Sequence, residues 1–468
     1  MGLSEFYWSS FIGCSLFVVL LQIYTRTVEF NERKAPVDPK FVKFQTYYLT
    51  SFLLAMFADW LQGPYVYELY ISYGFNKAHV AELFLCGYAS SVLCGTWIGG
   101  LADKYGRRNM CLLYCVCYGA ACITKLFPDY NILLLGRALS GISTSLLFSV
   151  FESWMVCEHH KQGFDSSLLA DTFSKATFGN GVVAVAAGLV ANIAADLFGF
   201  AAPFVLATVP LVLVAGVVSC FWSENHGSQS GSMWHSLRRG FSLLRTDPKI
   251  AALGFAQSCF EGAMYTFVFM WTSAIKSEEE QAAEDTGTLG ELGENTTNFL
   301  GLVFAIFMVC VMVGSTFFKL WSAHGKETVY VLPLYIHSTA LIAMATTAMA
   351  VGKYPGVVYV MFLLFETCVG VFYPAYGYIK SEKIPEDIRS AVMNIFRIPL
   401  NLFVVGLLIN IKHLSTADVF IICAGAHATS LCCYSYFYFL SKESFGGGAE
   451  RVNGKLKTND DDAAPGFL

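Results

Sequence analysis

The sequence predicts an all-α polytopic membrane protein of two six-helix bundles, with one additional transmembrane helix at the N-terminal end. Three observations carry that prediction. Of 468 residues, 55% are hydrophobic and 14% are charged, against about 25% charged in an ordinary soluble domain. Apolar stretches near the ~20 residues needed to cross hydrocarbon recur along the chain. Lys and Arg collect in alternate loops, as charge-directed insertion requires.

The first apolar run, 5–25, is read as a retained helix. No basic segment precedes it, no small-x-small cleavage site follows it at Gln22 to Arg26, and its positive charge lies on the C-terminal side. Six runs follow at 44–71, 80–102, 109–127, 131–156, 171–196 and 201–222. Six more lie at 250–275, 298–320, 328–351, 356–380, 390–412 and 416–440. The expected organisation is an extra helix with a basic loop (1–40), a first bundle (41–222), a linker (223–249), a second bundle (250–440) and a disordered cytosolic tail (441–468).

One set of loops holds Arg26, Arg33, Lys34, Lys40, Lys43, Lys104, Arg107, Arg108, Lys161, Arg238, Arg239, Arg245, Lys249, Lys319, Lys326, Lys380, Lys383 and Arg389, and the tail adds Lys442, Arg451, Lys455 and Lys457. The opposite set holds Lys77, Lys276, Lys353 and Lys412, with Lys125 near a helix end. The first set is therefore expected in the cytosol together with the C-terminus, and the N-terminus outside. The linker begins polar at Ser223 to Ser232. It continues as Met233 to Arg245, the pattern of an amphipathic helix lying on an anionic membrane face. Loop 276–297, with Glu278, Glu279, Glu280, Glu284, Asp285, Glu291 and Glu294, reads as a disordered external loop. Asn295-Thr296-Thr297 is a glycosylation sequon close to the next helix. The fifteen cysteines are scattered in apolar runs without zinc-ligand spacing, so neither a metal site nor a cofactor is predicted. No nucleophile–base constellation points to an enzyme, and nothing points to nucleic acid. The lipid bilayer and a small solute are the expected partners of a monomer.

Between the second and third core runs stands Gly99-Gly100-Leu101-Ala102-Asp103-Lys104-Tyr105-Gly106-Arg107-Arg108. Gly99 suits close helix packing, Gly106 suits a tight reversal, and Asp103, Arg107 and Arg108 place fixed charge at the membrane surface. The pattern G-x-x-x-D-K/R-x-G-R-K/R resembles the loop signature of the major facilitator superfamily, a family of rocking transporters. Gly136-Arg137-Ala138-Leu139-Ser140-Gly141 resembles that superfamily's fourth-helix signature, whose arginine is linked to proton coupling in some members. The resemblance implies a cytosolic gate at Gly99, Asp103, Gly106, Arg107 and Arg108.

The two halves repeat weakly. Gln62-Gly63 matches Glu261-Gly262, Phe151-Glu152-Ser153 matches Phe365-Glu366-Thr367, and Lys175 matches Arg397. Such repeats place a ligand near mid-membrane between the halves. A charge at that depth costs about 2.5–3.5 kcal/mol on insertion scales, so it needs a partner or a task. Asp59, Arg137, Glu152, Lys175, Glu261, Glu366 and Arg397 are the candidates, some as helix-to-helix charge pairs. Asn394, Arg397 and Asn401, at i, i+3 and i+7, present donors near Pro399. Lys175 with Asn180 offers similar chemistry from the first half. Two cations from opposite halves suit a small dianion. A buried carboxylate among Asp59, Glu152, Glu261 and Glu366 makes protons a candidate co-substrate.

Asp59 to Tyr67, Gly136 to Gly141, Phe148 to Trp154 and Asn394 to Asn401 together resemble the molybdate-anion transporter family, a branch of the same superfamily. That resemblance covers roughly residues 1–440 and includes the extra leading helix. It implies uptake of molybdate, a tetrahedral dianion, at the plasma membrane, with an endomembrane as the alternative. Lys175, Arg397, Asn180, Asn394, Asn401, Gln62 and Tyr65 are the expected donors to its oxygens. Two readings stand beside it. One is a carrier of an organic acid, sugar or peptide in a pocket lined by Tyr65, Tyr67, Trp154, Tyr265, Trp271 and Tyr373. The other is a non-transporting membrane receptor on the same fold.

Overall fold

A computed structural model describes residues 3–32, 38–227, 233–286 and 292–457. Among them every long element is an α-helix. The extra helix α1 spans Leu3–Glu32. The first core helix is broken: α2 (Pro39–Gln62) gives way at Gly63-Pro64 to a 3₁₀ turn and then to the short α3 (Val66–Ser72). A proline removes a backbone donor at this point, which explains why the apolar run 44–71 does not form one continuous helix. The first bundle continues with α4 (Lys77–Tyr105), α5 (Arg107–Thr124), α6 (Tyr130–Lys161), α7 (Ser167–Phe198) and α8 (Ala202–Phe221). A linker helix, α9 (Met233–Thr246), follows. The second bundle comprises α10 (Pro248–Thr286), α11 (Leu292–Ser322), α12 (Lys326–Ala350), α13 (Pro355–Lys383), α14 (Arg389–Asn410) and α15 (Thr416–Lys457).

Among the described residues, nine helices are individually long and apolar enough to cross a bilayer. The core helices α2, α4, α5 and α10 are less apolar because they carry charge toward the interior or the loops: Asp59, Asp103, Arg107 and Glu261 lie on them. Two boundaries differ from the sequence expectation. Helix α10 continues to Thr286 and α11 already starts at Leu292, which leaves 287–291, the centre of the expected acidic loop, outside the described residues. The expected disordered tail is helical from 441 to Lys457 as a prolongation of α15. Adding residues to an existing helix avoids the unfavourable nucleation step, so a boundary drawn where hydropathy falls comes too early.

The halves use one packing plan twice. In the first, α2 lies against α7 and α8, α4 against α6, and α5 against α6 and α8. In the second, α10 lies against α14 and α15, α11 against α13, and α12 against α13 and α15. The halves meet through α4 on α14 and α7 on α11, a pair of contacts related by the same repeat. Glycine sets the closest crossings. A Cβ on Gly141 of α6 would strike the backbone of Gly87 in α4, and one on Gly370 of α13 would strike Val311 in α11. These are corresponding crossings of the two bundles.

Although α1 precedes the first bundle, it packs on the second. Gln22 donates to Thr316 Oγ1 at 2.8 Å, Val18 joins Val309 and Val313, and the Tyr7 ring meets Tyr359 at 5.4 Å. The opposite face (Ile12, Leu16, Leu20, Ile23) is exposed and apolar, as a lipid-facing surface must be.

The α11–α13 crossing yields a stability test. Gly370→Ala is expected to lower the melting temperature of the purified protein, since overpacking costs about 1–3 kcal/mol. Gly406→Ala, where the added methyl meets nothing within 4 Å, should leave it unchanged or raise it.

Candidate functional site

The interface between the halves encloses a cavity of about 490 Å³. Helices α2, α4, α6 and α7 wall one side, and α10, α11, α13 and α14 the other. On α14 the lining residues are Met393, Arg397, Asn401 and Val404. That spacing of four, four and three keeps one helix face toward the opening. The Arg397 guanidinium lies 5.2 Å from the centre of the Phe148 ring of the other half. Its Nε is buried and has no hydrogen-bond partner. Asn401 donates its amide to the Arg397 carbonyl at 2.9 Å. On α10, Gln257 donates to Glu261 Oε1 at 3.1 Å while its own Oε1 is unpartnered. An ion pair of 3.3 Å joins Lys380 of α13 to Glu152 of α6 and so ties the halves together at the cavity wall.

The other expected residues divide between cavity and scaffold. Gln62 and Asn180 line the opening; Asn180 Oδ1 accepts the Trp60 indole N–H at 2.8 Å. Asp59 also lines it and accepts from Tyr118 at 2.6 Å. Glu366 lines it with 5% exposure, and no hydrogen bond or ion pair holds it among the described residues. Arg137 lines it against the Phe84 ring. Three expected donors lie elsewhere. Tyr65 bonds Asn192 at 3.0 Å and stacks on Phe200, away from the cavity. Asn394 sits in the α4–α14 seam near Gly95 and donates to Ser390 O at 3.0 Å.

Lys175 is the most consequential difference. Its Nζ is held by Asp171 at 2.6 Å and Gln45 at 2.8 Å, and Asp171 also pairs with Lys319 of α11 at 3.2 Å. The cavity face of α7 is Phe173, Ala176, Thr177 and Asn180. At about 100° per residue, position 175 stands about 200° from both 173 and 177, on the far side of the helix. Lys175 is thus a bridge between α2, α7 and α11. The second cation beside Arg397 is Lys380, which the sequence reading had placed in a loop. The signal that could have found it is the continued helical pattern from Pro355 through Lys383. Of the aromatic candidates, Tyr265, Trp271 and Tyr373 line the cavity, whereas Trp154 stacks on Trp222.

The charged loop closes one end of this space. Asp103 and Arg107 are both fully buried and form a 3.0 Å ion pair. Asp103 Oδ2 accepts the Ala391 N–H at 3.2 Å, so a carboxylate of the first half satisfies a free donor in the first turn of α14. Arg107 donates to Ser153 O at 3.2 Å and, across the interface, to the Glu386 carbonyl. The linker is woven in: Gly227 N–H reaches Asp103 O at 2.8 Å, and Arg107 N–H reaches Asn225 O at 2.9 Å. Gly106 makes the reversal at φ 102°, a backbone conformation that favours glycine. Arg108 does not cross between the halves. It donates to the carbonyls of Val218 and Ser219 at the end of α8. Gly99 lies one turn before Asp103 in α4. Further bridges join His160 to Glu386, and Arg239 of α9 to Asp387 at 2.5 Å. Helix α9 rests on protein as well as presenting a basic face: the Trp234 and Trp97 rings meet at 4.5 Å.

Residues 6–370 match the family described as sugar transporters with twelve transmembrane helices. A molybdate-anion transporter of Xenopus tropicalis is 35% identical over 408 residues, covering 85% of this chain and 86% of that protein. One from Takifugu rubripes is 34% identical over 417 residues, covering 82% of each. The chain belongs to the molybdate-anion transporter family. The solved human organic anion transporter MFSD10 (TETRAN) shares the major facilitator fold, with a TM-score of 0.66 at 13% identity, over 85% of this chain and 100% of that one.

The Asp103 contact predicts a local effect. Asp103→Ala should speed hydrogen exchange at Ala391 and the first turn of α14 by roughly five- to thirtyfold, as loss of a helix cap worth ~1–2 kcal/mol implies. Exchange in the middle of α12 should not change.

Proposed function

We propose that this chain carries molybdate, or a closely related tetrahedral oxyanion, across its membrane by alternating access. Arg397 carries the reading: a buried guanidinium facing the shared cavity, with an unpartnered Nε and no carboxylate at ion-pair distance among the described residues. A planar donor fork of this kind suits an oxyanion. Asn401, Gln257 and Asn180 supply neutral polar groups around it, and Lys380 supplies a second positive charge once released from Glu152. The relatives' name fits that chemistry. Because Glu152 and Lys380 belong to opposite halves, an anion that draws Lys380 away from Glu152 also loosens a tie across the interface. Binding and rocking are thereby linked.

Glu261 stands within electrostatic range of Arg397 and Lys380. A dianion beside that carboxylate is repelled unless the carboxylate takes up a proton, so proton symport is part of the proposal. The Asp103–Arg107 latch lies on the cytosolic side, with the C-terminus, by the distribution of Lys and Arg. The protein acts as a monomer in the plasma membrane. A larger organic anion is the second reading, favoured by the aromatic walls at Tyr265, Trp271 and Tyr373 and by a volume beyond the needs of one oxyanion.

In proteoliposomes, Arg397→Ala should abolish molybdate uptake at unchanged membrane abundance; normal uptake removes Arg397 from the site. An inward proton gradient should accelerate uptake by the wild type, whereas Glu261→Gln should respond little to the gradient. Sulfate and organic acids serve as competitors, and stronger inhibition by an organic acid than by sulfate favours the second reading.

A further inference from the structure

The first half contributes two cations to the same cavity that the reading above leaves without a task. Lys125, just beyond α5, donates to Tyr70 Oη at 2.5 Å and lies 4.9 Å from the centre of that ring. Arg137, on α6, donates Nε to Leu83 O at 3.2 Å and holds its guanidinium 4.6 Å from the Phe84 ring centre. Both line the cavity, and each lies within electrostatic range of the other. Their partners are a phenol, a carbonyl and two aromatic faces. Among the described residues no carboxylate stands at ion-pair distance from either one. Of the other buried cations, Arg107 is balanced directly by Asp103 and Lys380 by Glu152, whereas Arg389 donates only to the carbonyls of Lys380, Ser381 and Ile384 and Arg397 faces the inner site.

Two neighbouring positive charges removed from water repel each other and lack hydration, an arrangement that a counter-anion relieves. Their depth separates them from the inner site. Arg137 precedes Glu152 by fifteen residues on one helix, about 22 Å along the axis. Arg397 is eight residues into α14, about 12 Å from the Asp103 end of the bundle, and Glu152 lies at a similar height on α6. The Lys125–Arg137 pair therefore stands toward the opposite end, where a ligand arriving from that side meets it first.

We propose that Arg137 and Lys125 form a second, outer binding site for a tetrahedral oxyanion, occupied before the ligand moves on to Arg397. The inference rests on the oxyanion reading above. The pair supplies charge matching a dianion, and Arg137 supplies the directed donors. The neutral partners Tyr70 and Leu83 fix the two side chains without cancelling their charge. An anion concentrated there enters the inner site from a short distance instead of from bulk solution.

Equilibrium binding of molybdate to the full chain in nanodiscs, read by elemental analysis, tests this. Wild type should retain a second equivalent of molybdate that Arg137→Gln and Lys125→Gln each lack. Arg397→Ala should keep the outer equivalent and lose the inner. Uptake by Lys125→Gln should show an apparent KM raised about tenfold, as loss of one charge-assisted contact implies, with a nearly unchanged maximal rate. Arg137→Lys, which keeps the charge, should recover part of the lost binding if the fold is intact. A single equivalent in the wild type, unaltered by either outer substitution, overturns the outer site and leaves the inner one standing. Absence of any molybdate binding by the wild type overturns the oxyanion reading itself.

Discussion

The architecture turns on the need to balance charge in a space nearly out of reach of water. Eight ionisable side chains of opposite signs line the cavity: Asp59, Glu152, Glu261 and Glu366 against Lys125, Arg137, Lys380 and Arg397. An isolated charge in such a place is costly, and a half-satisfied pair costs more than an apolar wall. The two bundles share that burden, since Lys380 finds its counter-charge on the opposite bundle. Neither half is electrostatically complete alone. The same dependence at the loop end places a first-half carboxylate at the start of a second-half helix.

This division explains what kind of motion the fold permits. Within each bundle, glycines allow backbones to touch, and those crossings behave as rigid units. Between bundles α4 meets α14 and α7 meets α11 and α13, through apolar as well as polar contacts: a Cβ on Gly377 would strike the Phe173 ring, and one on Gly181 would strike Met312. The ties at Asp103, Arg107 and Glu386 cluster at one end of the molecule, together with the linker residues Asn225 and Gly227. Opening that end must therefore disturb the linker and α9 as well. The linker is a structural part of the latch.

Much of this was legible in the chain. Hydropathy runs located the helices because hydrocarbon thickness fixes their length, and the loop from Gly99 to Arg108 announced the latch because its residue types suit only a charged reversal. The face of Arg397 and Asn401 followed from helical spacing. Other placements did not follow. Lys175 and Arg397 match in order along the two halves, yet a phase difference of two residues turns Lys175 away from the cavity. A one-dimensional alignment does not register helix rotation. Lys380 was hidden by its closeness to Lys383 and Arg389, which made it look like loop charge. Asn394 was assigned to the cavity by a tolerance of one residue that α14 does not allow. Hydropathy located α1 in front of the first bundle but carries no information on its packing; its contacts, Gln22 with Thr316 and Val18 with Val313, lie on the far bundle.

The lodging of α1 has a mechanical corollary. The helix travels with α11, whereas the peptide that follows it must rejoin α2 in the other bundle. From Glu32 to Asp38 the covalent chain extends to about 20 Å at most, whatever its path. It is a leash across the seam, and its length sets an upper bound on how far the two ends it joins can separate during a transport stroke.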